Sequence, residues 1–362
     1  MNPMWTIANR LTRRAAAVAL FACLIAGAAR ADELTVRIGY ASIGAGNRPF
    51  VGGTLAATAH AAHYVQEELK SEPGVKIAWF FFAGAGPAVN EAFANGQLDF
   101  ALQGDLPSVI GRANGLQTKI LLASGVNTPI YLAVPPDSDI KTVADLKGRR
   151  VALYRGTNLQ LAFDKVLASK GLAERDLKII NMDAATADAA LASHDVEAAV
   201  GANELFELQK NGIAKIVYTT KGDDPAFGRN SAMLAAAAFE QAHPDITQKI
   251  VTAFVKAAVW SSDEANRDAL LGLWAKSGYP ADSFRADFDG QPLKFRNSPL
   301  IDPFIMHQYE VQAQQARAYK LLRRDVDLTG WFEPKYLDTA LRQLGLEHHW
   351  TARDANGHDL GS

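Results

Sequence analysis

Cysteine is almost absent from this 362-residue chain, and the only one is Cys23. It lies in an N-terminal apolar run, so residues beyond position 31 have no thiol for a disulfide, a thiolate metal site or a cysteine nucleophile. An excess of positive charge is missing too, since 37 Lys and Arg stand against 39 Asp and Glu. Nothing is left over to neutralise a phosphate backbone, and no nucleic-acid partner is expected. No apolar run reaches the ~20 residues that a membrane span needs.

At the N-terminus, Arg10, Arg13 and Arg14 precede an apolar run over 15–29, and Ala29-Arg30-Ala31 has the small-x-small pattern of a cleavage site. The expectation is a signal peptide over 1–31, cleaved near Ala31 on export. Its four arginines and lack of acids leave 33 basic against 39 acidic residues, a mildly acidic product. Thr12-Arg13-Arg14 only hints at twin-arginine export, and Leu20-Phe21-Ala22-Cys23 only weakly imitates a lipoprotein site.

With 48% hydrophobic residues the chain can supply two cores. β-rich runs at 34–40, 75–82, 100–103, 118–124, 131–134, 151–154, 177–181, 197–200 and 215–219 alternate with amphipathic stretches. The helices between them are expected near 51–70, 87–95, 107–114, 159–169, 184–193 and 203–210. This is βαβ grammar, which implies α/β architecture with mainly parallel sheets covered on both faces. After Thr220 the strands end, 222–230 reads as a polar link, and everything beyond His243 reads as helices that pack back on a sheet. Trp79, Phe80, Phe81 and Phe82 follow one another, as in a buried central strand. Residues 352–362 read as a frayed polar end.

In open α/β sheets ligands lie at the carboxyl ends of strands, so the loops leaving the strands are the places to inspect. Gly46-Asn47-Arg48, after the first strand, joins flexible backbone to a positive charge, yet lacks the third glycine of a dinucleotide fingerprint and the Lys-Ser/Thr of a P-loop. Gly86-Pro87 opens a helix whose free N–H groups favour an anion. Gln103, Gly104 and Asp105 follow the next strand, with Asp105 as a helix cap or a ligand contact. In the second half, Arg155, Gly156, Thr157 and Asn158 follow a strand, and Thr157-x-x-Gln160 fits a capping box. A guanidinium beside a helix start also makes an oxyanion site. Asn203 and Glu204 begin a further helix, where capping alone accounts for them. His60 and His63, with Glu67 following, fit a surface ion pair better than a metal site. No nucleophile elbow, zinc helix or Ser-x-x-Lys motif occurs in a supporting context, so no catalytic residue, metal or cofactor is expected.

The run FAGAGPAVNEAFANGQLDF over 82–100, continued by GDLP over 104–107, resembles the alkanesulfonate-binding branch of the nitrate/sulfonate/taurine family of periplasmic substrate-binding proteins. The segment IKTVADLKGRRVA over 140–152, followed by Arg155-Gly156-Thr157, is similar to the same family's second lobe. The resemblance implies a type II periplasmic-binding-protein-like fold. In it, lobe one is 34–127 plus 231–345, lobe two is 128–230, a C-terminal tail covers 346–362, and two crossover strands join the lobes around a ligand cleft. It implies a monomeric, non-enzymatic solute receptor in the periplasm that delivers a small organic anion, most readily an aliphatic or aromatic sulfonate, to an ABC transporter permease in the inner membrane. Arg155, and to a smaller degree Arg48, is expected to neutralise the anion. The alternatives are an enzyme on the same fold, such as a desulfinase, or a ligand sensor feeding a membrane receptor. The family's aromatic and acidic cluster after the strand ending at Val200 is replaced here by Gly201-Ala202-Asn203-Glu204, which leaves the ligand's identity open.

Overall fold

The structure, a computed structural model, describes residues 33–361. The expected signal peptide and Cys23 lie outside the described residues.

Two five-stranded sheets organise the molecule. The first has the order β2-β1-β3-β10-β4, built from β1 (Leu34–Tyr40), β2 (Val75–Phe81), β3 (Phe100–Gly104), β4 (Thr118–Thr128) and β10 (Arg229–Ala236). The second has the order β7-β6-β8-β5-β9, from β5 (Tyr131–Val134), β6 (Arg150–Leu153), β7 (Lys178–Asn181), β8 (Ala198–Gly201) and β9 (Lys215–Thr219). β1 runs parallel to β2 and β3, and β6 parallel to β7 and β8. β10 is antiparallel to both β3 and β4, which brings its first residues to the end of the sheet where the parallel strands finish. The chain passes between sheets twice, at 129–130 and again at 220–228, where Thr128 pairs with Arg229.

Helices cover both faces of each sheet, as the alternation requires. In the first half they are α1 (Leu55–Ala61), α2 (Tyr64–Leu69), α3 (Ala85–Ala94) and α4 (Asp105–Ala113). In the second they are α5 (Asn158–Ser169), α6 (Ala184–Ala192) and α7 (Leu205–Lys210). Then follow α8 (Ala237–Ala242), α9 (Pro244–Ser262), α10 (Arg267–Trp274), α11 (Ala281–Phe288), α12 (Leu293–Arg296), α13 (Pro303–Ala318) and α14 (Lys335–Leu344). These late helices return to the first sheet: α9, α10 and α14 share a core with β1, α1 and α2 on one face, while α13 joins α3 and α4 on the other.

Four expectations need correction. A strand, β10, stands where only a link and helices were expected. Its centre, Ala232 to Ala235, is buried on both faces, so it shows no alternation for a period-two reading to find. The aromatic run is at an edge, because β2 ends its sheet and leaves Phe80 exposed. The helix expected over 51–70 is broken where His63 adopts a left-handed φ of 58°. His60 then packs among Phe50, Trp79 and Phe81, burial pushes its pKa down to about 4, and Glu67 pairs with Lys70 instead. The C-terminal residues are docked rather than frayed: Arg353 bridges to Asp359 in the backbone, and its buried guanidinium reaches Asp302 at 3.3 Å between Phe295 and Phe304.

Among the described residues no helix is long and apolar enough to cross a membrane.

Candidate functional site

A cavity of about 380 Å³ lies between the two sheets. It gathers the loops after β1, β2 and β3 from the first sheet and those after β6, β7 and β8 from the second, all carboxyl ends. The start of β10 and the α11–α12 region complete the wall. The sheets meet around it. The Tyr154 hydroxyl donates to the Ala83 carbonyl at 2.7 Å, and Lys210 pairs with Asp282 at 2.8 Å.

Of the residues singled out from the sequence, Gly46, Asn47, Gln103, Gly104, Thr157, Asn158, Asn203 and Glu204 line this cavity. Gly46 and Asn47 both have left-handed backbone, φ 64° and 60°, in a one-turn 3₁₀ segment that lets the loop after β1 fold over the cavity. Gly104 is required by Asn158 across the cavity, because a Cβ there would sit 2.6 Å from the Asn158 amide nitrogen. Thr157 does not cap α5. Its hydroxyl donates to the Tyr154 carbonyl at 2.7 Å, while Gln160 Oε1 accepts from the Gly156 N–H at 2.7 Å. Asn203 does not cap α7 either, and its amide nitrogen is buried without a partner.

The remaining candidates do not line the cavity. Arg155 is turned to Glu174, at 2.5 Å, and is half exposed, so the expected anion-binding guanidinium is already neutralised elsewhere. Arg48 lies exposed at the end of its loop. Gly86 is a packing glycine, since a Cβ would lie 2.3 Å from Pro107, and Pro87 packs against Gly156, whose φ is 76°. Asp105 is buried and tied to backbone, accepting from Leu106 N–H and Asn230 N–H at 2.7 Å each. It joins α4 to β10 rather than facing a ligand.

The cationic residue that does face the cavity is Arg229, at the start of β10. Its Nη2 donates to the Pro129 carbonyl at 2.8 Å, its Nε is buried without a partner, and among the described residues it makes no ion pair. Burial depresses its pKa, opposed by Asp287 and Glu204 nearby. Arg296 also borders the cavity, but it is spent: it holds Asp287 at 3.0 Å and Gln291 at 2.5 Å and stacks over Phe288 at 4.1 Å. Asp287 in turn accepts from the Tyr131 hydroxyl. Among the described residues, one unpaired guanidinium therefore remains in the cavity, at the point where the chain crosses between sheets.

Glu204, on the same cavity, is buried at 8% exposure, and its Oε1 accepts from the Ala202 N–H at 2.6 Å. Burial raises its pKa, partly offset by that N–H. Gly201 makes this possible, because a Cβ there would lie 2.5 Å from Glu204 Oε1. Tyr40, Leu102, Leu159 and Phe284 supply apolar surface. The arrangement offers a positive group, helix-start N–H groups at Asn158 and Leu159, and a partly apolar chamber: a binding site for a small anion with an organic body.

The chain matches the family described as "NMT1/THI5 like" over residues 71–265. It is 27% identical over 311 residues to an Escherichia coli K12 protein named for aliphatic sulfonate binding, covering 83% of this chain and 89% of that one. It is similar in structure to a periplasmic sulfonate-binding protein, SsuA, of Methylobacillus flagellatus KT, with TM-score 0.76, 32% identity and coverage of 89% and 98%. The fold also matches the alkanesulfonate-binding SsuA of Xanthomonas axonopodis pv. citri bound to MOPS, with TM-score 0.69, 24% identity and coverage of 84% and 99%. The desulfurization enzyme DszB shares the fold at 18% identity and TM-score 0.61, with coverage of 85% and 99%. Two α/β sheets with a cleft at their strand ends, joined by two crossings, are thus the periplasmic-binding-protein fold, and the chain belongs to the NMT1/THI5-like family.

Proposed function

We propose that this protein is the periplasmic solute-binding component of an ABC importer and that it captures a small organic anion, foremost a sulfonate. The observation that carries the reading is Arg229, the one unpaired guanidinium among the described residues that border the cavity. The relatives named for sulfonate binding support the ligand class. In this reading lobe one is 34–127 plus 231–345 and lobe two 128–230, and closure brings the Asn158 side chain and the start of α5 against an anion held at Arg229. Loss of water then strengthens each charged contact. Export of a monomer with its first 31 residues removed, and delivery to an inner-membrane permease, belong to the same proposal.

The protein does no chemistry of its own in this reading. No cysteine follows Cys23, so a desulfinase-type thiol nucleophile has no residue to supply it.

Calorimetry with alkyl and aryl sulfonates, nitrate and carboxylates tests the proposal. A charged hydrogen bond contributes about 1.5–3 kcal/mol. Arg229→Ala should therefore weaken every anion that binds by tenfold or more, whereas Arg155→Ala should not. Full affinity in Arg229→Ala would move the anion elsewhere in the cleft.

A further inference from the structure

Two charged side chains are buried outside the cavity. Lys165, on α5, is 3% exposed, and Asp105, at the start of α4, is 1% exposed. Neither borders the cavity. Burying a charge is costly, and apolar side chains of similar volume commonly fill such a place with no loss of stability. Stability alone therefore does not ask for them.

Both are spent on one stretch of backbone, the second crossing between the sheets. The Lys165 ammonium donates to the Ala226 carbonyl, and Asp105 Oδ2 accepts from the Asn230 N–H at 2.7 Å. Ala226 stands three residues before Arg229, and Asn230 directly follows it. The stretch is held at other points too. The Asp224 side chain accepts from the Ala226 N–H at 2.8 Å, and Asn230 Oδ1 accepts from the Asn127 N–H at 3.0 Å. Gly228 lies so close to the first crossing that a Cβ would come within 1.8 Å of Asn127 Oδ1. The two charged grips come from different halves of the molecule, since α4 shares a core with the first sheet and α5 chiefly with the second. An arginine on an unheld linker must be ordered at the moment of binding, at a cost in affinity. One whose flanks are fixed in advance escapes that cost.

We infer that Lys165 and Asp105 are positioning residues for Arg229: one from each half, they hold the backbone on both sides of the guanidinium, so that it stands ready before any anion arrives. The inference rests on the anion-binding reading above and carries it to residues that touch no ligand.

The buried Arg229 Nε–H reports that position directly. In nitrogen-15 spectra of the unliganded protein it should give one sharp side-chain signal, identified by its loss in Arg229→Ala. Lys165→Met should shift or broaden that signal and leave in place the signal of the buried Arg353 Nε–H, which is bonded to Asp302. Asp105→Asn should do the same and serves if Lys165→Met does not fold: the carboxylate holds the Leu106 and Asn230 N–H groups with two oxygens, and an amide has only one acceptor to offer. Calorimetry with butane-1-sulfonate, benzenesulfonate, nitrate and pentanoate completes the test. For whichever of these the wild type binds, the variant should lose about fivefold or more in affinity, the scale of ordering one long side chain on binding. Arg155→Ala should keep it. An Arg229 signal that stays in place, an affinity within about twofold of the wild type, or loss of the Arg353 signal together with that of Arg229 would overturn the positioning role and leave the anion receptor standing. Binding of none of the four compounds by the wild type would overturn the receptor reading, and this inference with it.

Discussion

The Tyr131 hydroxyl donates to Asp287 Oδ1 at 2.7 Å, so a strand of the second sheet is bonded to a helix packed on the first. The other Asp287 oxygen takes a proton donor from Arg296 at 3.0 Å, and both side chains are buried. Tyr131→Phe removes one partner from a buried carboxylate, which costs about 1–3 kcal/mol. Urea unfolding should show that loss, and scattering should show the sheets further apart in the variant. An unchanged midpoint with an unchanged particle size would mean the bond contributes nothing to their association.

Gly201→Ala places a methyl group 2.5 Å from Glu204 Oε1 and 2.9 Å from the Leu205 side chain. Both neighbours are buried, so relief requires a shift of the α7 start. Overpacking of this kind costs about 1–3 kcal/mol. A thermal melt at wild-type level would show that the loop after β8 yields freely.

Asp164 offers a test by pH. Burial, with Glu174 beside it, pushes this carboxyl up to about 8. Its unfolded value is about 4, so between pH 4 and 8 the folded protein holds a proton that the unfolded chain has released. That contribution is complete below about pH 4 and is lost as pH rises towards about 8. Asp164→Asn keeps the neutral form throughout. It should match the wild type near pH 4 and exceed it at pH 8 by at least about 1.4 kcal/mol, the equivalent of one pK unit. Parallel stability profiles for the two proteins would refute the raised carboxyl.

At the C-terminus, Arg353 and Asp302 are both nearly inaccessible. Arg353→Ala leaves a buried carboxylate with backbone partners only, at Ile305 and at position 353 itself. Breaking a buried pair costs about 3–5 kcal/mol, and the backbone bonds should hold the loss to the lower figure. Loss of less than about 1 kcal/mol on denaturation would show that the last residues add little to the fold.

Most elements of the two sheets could be read from periodicity, because β1, β5 and β9 sit where the β-rich runs placed them. β10 could not. Its alanine-rich centre is buried on both sides and looks like helix, and its polar first residues look like a linker. That error concealed Arg229. The loops after β3, β6 and β8 were legible as site loops, since strand ends and helix starts mark them in the sequence. Which side chain in a loop turns to the cavity was not legible. Arg155 and Arg229 carry the same charge, and only Glu174 on one side and an empty Nε on the other separate them.

Arg229 sits on one crossing and bonds the Pro129 carbonyl of the other. In a hinged body the points on the axis travel least when the halves swing. On the proposed closure, a charge mounted there keeps its place whether the halves stand apart or together, while Asn158, carried on the other half, moves towards it. Capture by the proposed receptor would then be ordered in time: the acidic head is caught at the pivot first, and the remainder of the molecule is enclosed only as the jaws meet.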